Sequence, residues 1–364
     1  MIPFIDLQSQ FARIESRVRE RIDDVLRHGH YIMGPEVEEL EDRLAKFCQA
    51  EHAVACSSGT DALLMALMAH DIGPGDLVLT TPFTFVATGE VISLLGATPA
   101  FVDVDPATYN LDPDKLKLAL EAVQKADPER YPLPKPVLEA GPELRPRAVI
   151  SVDLFGIPAD YQRLKPICQE AGLVLIEDAA QSFGASLKGR PACSLADVGC
   201  TSFFPAKPLG GFGDGGAVLT DDHDLARELR SIRVHGQGQT KYLNRRIGLN
   251  ARMDTMQAAM LLPKLDLLPD ELDRREQVAQ AYSQGLAGIG PGLTPPYVPP
   301  ECRSAWAQYS IRVKGRDQLQ QHLKEHSIPT AVYYQKPLHL QEAFAVLEYG
   351  HGDMPVSEQL ALEM

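Results

Sequence analysis

The chain has 364 residues, 45% of them hydrophobic, and 35 basic against 49 acidic side chains leave a net charge of −14. That is enough apolar material for a large core with a smaller second domain, and the acidic balance argues against nucleic acid or an anionic membrane as partner. The six cysteines form no Cys-x-x-Cys pair and lie mostly in apolar segments, so buried free thiols are expected rather than a disulfide framework, a zinc site or any other metal. The first residues lack the basic and apolar regions of a signal peptide, and no apolar run reaches membrane-span length; a cytoplasmic protein is the expectation.

Residues 8–28 read as an amphipathic helix, with Phe11, Ile14, Val18, Ile22, Val25 and Leu26 at three- and four-residue steps. A turn at Gly29 and Gly34-Pro35 leads to a second helix with Val37, Leu40, Leu44 and Phe47 on one face. Strands then alternate with helices. The strands are 53–56, 77–80, 99–104, 148–152, 173–177, 199–204 and 217–220; the helices start near Ser58, Val86, Asp112 and Asp160. This alternation predicts an α/β fold, a mostly parallel sheet with helices on both faces. Residues 125–146 hold six prolines and many charges, and read as a surface insertion too polar to be a core element. Helical pattern returns over 255–286, with an interruption expected at Pro263 and Pro269. Past a Pro/Gly-rich patch at 288–300, a strand over 308–313, a helix over 317–326 and a strand over 330–334 predict a small α+β domain. The expected division is a large domain at 1–245, followed by linker helices and a small domain at 246–364.

Lys207 carries the most information. It stands between the strand 199–204 and a glycine-rich turn, in Thr-Ser-Phe-Phe-Pro-Ala-Lys-Pro-Leu-Gly-Gly-Phe-Gly-Asp-Gly-Gly. An amine at a strand end, with backbone free to approach a ligand, suits Schiff-base chemistry. Ser57-Ser58-Gly59-Thr60-Asp61 joins a strand to a helix and can offer its first N–H groups to a phosphate, although the same pattern is also a simple helix cap. Asp178 ends a strand in Glu-Asp-Ala-Ala-Gln, where it can meet a protonated ring nitrogen or cap the next turn. Phe85 follows another strand end and can stack on a flat ring or pack in the core. Ser202, five residues before Lys207, can add its hydroxyl to the same phosphate. Neither a Walker loop nor Gly-x-Gly-x-x-Gly after the first strand is present. A phosphate cradle, a stacking aromatic, an aspartate and a lysine together describe pyridoxal 5′-phosphate (PLP).

At these residues the sequence resembles the DegT/StrS family of PLP-dependent nucleotide-sugar aminotransferases. The pieces are Gly-His-Tyr-Ile-Met-Gly-Pro-Glu-Val (29–37), Ser-Gly-Thr-Asp-Ala-Leu (58–63), Ile-Glu-Asp-Ala-Ala-Gln-Ser-Phe-Gly-Ala (176–185), the lysine segment and Gly-Leu-Asn-Ala-Arg-Met-Asp-Thr-Met-Gln-Ala-Ala (248–259). The resemblance, from Ile5 to about Leu338, implies the aspartate-aminotransferase architecture (fold type I). It implies that Gly59, Thr60, Asp61 and Ser202 hold the phosphate, Phe85 stacks on the ring, Asp178 meets its nitrogen and Gln181 lies near its hydroxyl side. Asn250 would reach the cofactor of a neighbouring subunit, and Arg252 that neighbour's sugar site, so a homodimer with shared sites is implied. Tyr31, Tyr333, Tyr334 and His339 are the remaining candidates for substrate contact, with core packing the alternative for the small-domain tyrosines.

Among subfamilies the chain looks most like enzymes that aminate a UDP-linked 3-keto-N-acetylglucosaminuronic acid with glutamate, in O-antigen sugar synthesis. Tyr-Asn-Leu-Asp-Pro (109–113), Cys-Thr-Ser-Phe-Phe-Pro (200–205) and Leu-Pro-Lys-Leu (262–265) carry that likeness. An acidic sugar needs a cationic contact, which Arg252 can supply. Alternatives are amination of another nucleotide keto sugar and a PLP-binding regulatory protein without turnover. A sugar dehydratase on the same fold typically has histidine in place of the lysine, and Lys207 argues against it. The sequence departs from the family at Asp153-Leu154-Phe155-Gly156, where His-Leu-Tyr-Gly is common, and at the long 125–146 connection. It ends at Met364, ahead of the family's usual final strand and helix, so a truncated small domain is expected.

Overall fold

The computed structural model describes residues 3–140, 143–240, 242–290 and 292–364. Seven strands make the central sheet: β1 (His52–Cys56), β2 (Asp76–Thr80), β3 (Thr98–Phe101), β4 (Arg145–Val152), β5 (Val174–Asp178), β8 (Val198–Ser202) and β9 (Gly216–Thr220). The short strands β6 (Ser186–Leu187) and β7 (Arg190–Pro191) form a hairpin between β5 and β8. The sheet order is β1-β9-β8-β5-β4-β2-β3. Only β9 runs against the others. The carboxyl ends of β1, β8, β5 and β2 therefore share one edge, the edge at which open α/β sheets bind ligands.

Both faces are covered. On one, α3 (Gly59–Ala69), α4 (Ala87–Leu94) and α8 (His223–Ile232) meet the apolar residues of the strands. On the other lie α2 (Pro35–Cys48), α5 (Pro113–Lys125), α7 (Tyr161–Ala171) and the first half of α9 (Thr255–Leu286). Double coverage is why β2 and β9 are buried at every position, and why they read as continuous apolar runs. The long helix α1 (Leu7–His28) lies on α9 and is tied to it by Arg13–Asp270 and Arg17–Asp266.

Several expectations need correction. Helix α9 is one 32-residue element that runs through Pro263 and Pro269. Each proline forfeits a backbone hydrogen bond, at roughly 3 kcal/mol in an ordinary helix interior. Leu261, Leu262, Leu265, Leu268 and Leu272 are buried in the core around α2, and that burial offsets the loss. The 125–146 segment is not a wholly surface insertion. It carries a short helix, α6 (Lys135–Ala140), and buries Tyr131, Leu133, Val137 and Leu144 against α5 and its neighbours. Gly141 and Pro142 of this segment lie outside the described residues.

The C-terminal part also differs. The expected strand 308–313 shrinks to a two-residue pair, β11 (Arg312–Val313), on β10 (Leu293–Thr294). Residues 330–334 form no strand. Helix α10 (Arg316–Glu325) matches the expected one, whereas the last helix, α11 (Pro355–Glu363), is not among the expected elements. Leu338, Phe344, Leu347 and Met354 pack into the same core as β2 and β4. Asp103, just after β3, accepts from Val356 N–H and Ser357 N–H at 2.9 Å each. A boundary at 245/246 therefore does not separate two cores. No described helix is long and apolar enough to cross a membrane.

Candidate active site

Helix α3 begins directly at the end of β1. Ser58 caps it, accepting Asp61 N–H at 3.0 Å. Asp61 in turn accepts the Ser57 hydroxyl. Asp61, expected among the phosphate ligands, thus has both its N–H and its carboxylate engaged locally. The N–H groups of Gly59 and Thr60 have no acceptor within the helix and lie at the positive end of its dipole. A Cβ built on Gly59 would stand 2.6 Å from Ser202 Cβ, and one on Gly216 would stand 2.4 Å from the Ser58 carbonyl oxygen. Glycine alone lets β1, β8 and β9 close up at this point, and the closure brings Ser202 beside the start of α3.

Lys207 follows on the segment after β8, its own N–H donated to the Phe204 carbonyl at 2.8 Å. Burial lowers the pKa of its amine, and the nearby charge of Asp178 opposes that shift. Asp178, 6% exposed, ends β5. Burial raises its pKa; the Thr88 hydroxyl, the Ala180 N–H and Lys207 act the other way, in that order. Thr88 Oγ1 donates to Asp178 Oδ2 at 2.8 Å and Ala180 N–H to Oδ1 at 3.2 Å. Thr88 itself lies 3.1 Å from the hydroxyl of Thr84. The sequence reading missed Thr88. Its only signal was a threonine in the first turn of an apolar helix that follows a strand end; Thr84, in the turn before that helix, gives no helical spacing to find it by.

Phe85, one turn before Thr88, is 56% exposed, while its neighbour Phe83 is fully buried. Of the two rings only Phe85 is free to meet a flat ligand. Gln181 is buried; its Oε1 accepts Phe155 N–H at 2.9 Å and its Nε2 donates to Tyr334 Oη at 3.2 Å. Tyr334 also packs edge-on against Phe83, and burial pushes its phenol pKa up. Behind Gln181 stand two buried carboxylates. Asp153 accepts from Ala159 N–H, the Tyr161 hydroxyl and the Ser182 hydroxyl at 2.9, 2.8 and 2.8 Å. Burial raises it to about 6 against those donors. Glu177 accepts Cys193 N–H and Leu195 N–H at 2.7 and 2.8 Å, and is raised by burial and then by the charge of Asp153. Asp153 thus braces the Asp178–Ser182 turn from behind.

Three other expected residues form a separate strip. Thr255 N–H donates to the Tyr31 carbonyl at 3.0 Å, and Ile32 bridges to Asp254. Asn250 is exposed, and Arg252 is half-buried with its Nε unpartnered. Between them Ala251 is buried and accepts Ser57 N–H at 3.1 Å, which lays this strip along the foot of α3. Tyr333 is half-buried in an apolar cluster with Val104 and Tyr109. His339 is a correction: it is 2% exposed and its Nε2 lies 3.1 Å from Glu358 Oε1 of α11. Its ring belongs to the C-terminal core rather than to a face open to substrate.

The residues fit PLP. Two helix-end N–H groups and Ser202 suit a phosphate, the Asp178 carboxylate suits a ring N–H, an open aromatic suits the ring face, and Lys207 suits the aldehyde. A family model of known proteins matches residues 12–364. The chain belongs to the DegT/DnrJ/EryC1/StrS aminotransferase family. It is 45% identical, over all of its length and 94% of the other's, to a UDP-2-acetamido-2-deoxy-3-oxo-D-glucuronate aminotransferase of Pseudomonas aeruginosa. Among solved structures, a family aminotransferase from Brucella abortus superposes with a TM-score of 0.92 at 46% identity, covering 100% of this chain and 92% of that one. A Bacillus subtilis protein solved with bound cofactor PMP gives 0.86 at 26% identity, covering 100% and 79%. The aminotransferase therefore has the fold-type-I architecture expected from its strand–helix alternation, and PLP is its cofactor.

Proposed function

We propose that this aminotransferase moves the amino group of L-glutamate to C3 of a UDP-linked 3-keto-N-acetylglucosaminuronic acid. The reading rests on one observation above the others: full-length similarity at 45% identity to an enzyme of that substrate class. A half-buried arginine with an unpartnered Nε, Arg252, is consistent with a substrate that carries a carboxylate. The product would serve cell-surface polysaccharide synthesis in the cytoplasm.

PLP, when bound, supplies an aldehyde that accepts an amino group and a ring that takes up carbanion electrons. Gly59, Thr60 and Ser202 would anchor its phosphate. Asp178 would keep a proton on the ring nitrogen, and Phe85 would cover one face. Lys207 does the proton work. Because burial lowers its pKa, more of the amine is neutral near pH 7 than for a surface lysine. Its Nζ can take the proton from the α-carbon of glutamate in the first half-reaction and give one to C3 of the sugar, after the reverse sequence, in the second. Arg252 would hold the carboxylate of glutamate and of the uronate in turn. Asn250, Arg252 and Tyr31 would act across a homodimer interface, completing the partner's site.

The test is a panel. Enzyme first reacted with glutamate, then freed of it, is mixed with UDP-linked 3-keto sugars with and without a C6 carboxylate and with 4-keto-deoxyhexoses. Amino-sugar formation is followed by mass spectrometry. Preference for the uronate, lost in Arg252→Ala, is expected; equal use of the uncharged sugars would reject the uronate assignment and leave the aminotransferase standing.

A further inference from the structure

Lys264 lies on α9, is 4% exposed, and has no ion pair or hydrogen bond among the described residues. Its Nζ stands 4.8 Å from the centroid of the Phe212 ring. Phe212 belongs to the glycine-rich segment that follows Lys207 by five residues. The same ring meets Phe11 of α1 edge-on at 5.7 Å. Phe212 N–H donates to Gln257 Oε1 at 3.0 Å, and Gln257 lies two turns before Lys264 on the same helix. A Cβ on Gly213 would stand 2.7 Å from Gln257 Nε2, so the segment lies tight against that helix face.

A lysine buried to this degree with no partner for its charge is unfavourable, and an apolar residue of similar size would pack there at lower cost. The surrounding charges do not compensate it. Glu271 on the same helix acts on it from a distance, and that carboxylate is already engaged by Gln10 and Arg13 of α1. Arg17 of α1 and Arg43 of α2 pair with Asp266. The segment itself contributes Lys207 and Asp214. What the ammonium does have is the face of Phe212, a contact that needs the positive charge.

We propose that Lys264 is a positioning residue of the transamination reaction: its ammonium grips the Phe212 ring and, with Gln257, fixes the glycine-rich segment that carries on from Lys207. The inference rests on Lys207 being the catalytic amine. The grip has a pH limit. Burial lowers Lys264 to about 8, so the cation is present at neutrality and lost above that. The segment loosens on the alkaline side for a reason separate from the titration of Lys207.

Wild type, Lys264→Arg, Lys264→Met and Phe212→Leu would be compared in two ways. The first is hydrogen–deuterium exchange of the 209–216 amides in cofactor-free protein at pH 7 and 9.5, with times scaled for intrinsic exchange. The wild-type segment is expected to lose about tenfold in protection between the two, and Lys264→Arg, whose charge persists, to lose little. Lys264→Met and Phe212→Leu should already exchange at pH 7 as wild type does at 9.5. The second is the pH profile of kcat for the holoenzyme, in which Lys264→Arg should extend activity to higher pH. An arginine variant with the wild-type profile and the wild-type loss of protection would overturn the proposal. So would a Phe212→Leu variant with full protection at pH 7, even if Lys264→Met does not fold.

Discussion

Replacing Thr88 by valine tests whether Asp178 is held as a charged carboxylate. The two side chains have nearly the same shape, so packing at this 1% exposed position changes little. What is lost is the 2.8 Å hydrogen bond from Thr88 Oγ1 to Asp178 Oδ2, together with the 3.1 Å contact to the Thr84 hydroxyl, whose share does not vary with pH. A hydrogen bond to a charged group contributes about 2 kcal/mol. Asp178 would then keep only the Ala180 N–H at 3.2 Å and the charge of Lys207. Its pKa, already raised by burial, would rise further. Urea unfolding of the cofactor-free protein should show the variant less stable by about 2 kcal/mol at pH 7. The gap should narrow as the pH falls, because the variant's Asp178 takes up its proton first and no longer needs the donor. Affinity for PLP should fall by up to about 30-fold, the equivalent of the same energy. Thr88→Ser, which keeps the hydroxyl, should restore most of both. A difference below about 0.5 kcal/mol that stays flat with pH would refute the claim that Thr88 supports the charge.

Lys264 has a pKa lowered from 10.5 to about 8; between these values the unfolded chain holds the proton and the native one does not, so this group makes stability rise with pH. Lys264→Met removes the penalty, worth about 3 kcal/mol less about 1 for the lost ring contact, and should stabilise the protein against urea below pH 8 while it slows catalysis. Asp153 shows the opposite slope: raised from 3.8 to about 6, it makes stability fall as pH rises through that window. Asp153→Asn should flatten that slope and, by urea unfolding at pH 7, be the more stable protein. Mixing inactive Lys207→Ala with Arg252→Ala, which is strongly impaired on the uronate, should raise activity on the uronate toward about a quarter of wild type if sites are shared between subunits; no gain after subunit exchange would place both residues in one chain's site.

The sheet was legible because burial on both faces writes itself as short apolar runs between helix caps. The strand ends were legible too: β5 ends at Asp178 and β8 at Ser202, each within two residues of the expected end. What the sequence hid was of three kinds. In the 125–146 segment, prolines and charges mask four buried side chains, and no periodicity announces that Tyr131 or Val137 reaches the core. In α9, Pro263 and Pro269 signal a break that tertiary burial overrides. Thr88 and Lys264 belong to a third case. Both lie on apolar helix faces, where a threonine reads as tolerated and a lysine as solvent-facing, and only the fold reveals that one meets Asp178 and the other Phe212.

His339 shows how a plausible polar residue is claimed by packing. The histidine follows a residue whose N–H donates to the Pro82 carbonyl, close to the end of β2, and proximity of that kind invites a substrate role. Its ring is instead held by Glu358, whose Oε1 also accepts Gly352 N–H at 2.9 Å and Met354 N–H at 3.3 Å. Burial lowers the histidine's pKa while Glu358 opposes that shift. The pair therefore fastens α11 beneath the C-terminal end of β2, the end from which the chain runs on to Phe85 and Thr88. Tyr334, four residues before Leu338, is left as the C-terminal side chain that reaches the site, through Gln181. The placing of Tyr334 against Gln181 thus depends on how firmly α11 is docked. The docking is shared by Asp103 and Glu358 with Arg312, which pairs with Glu363 of the same helix.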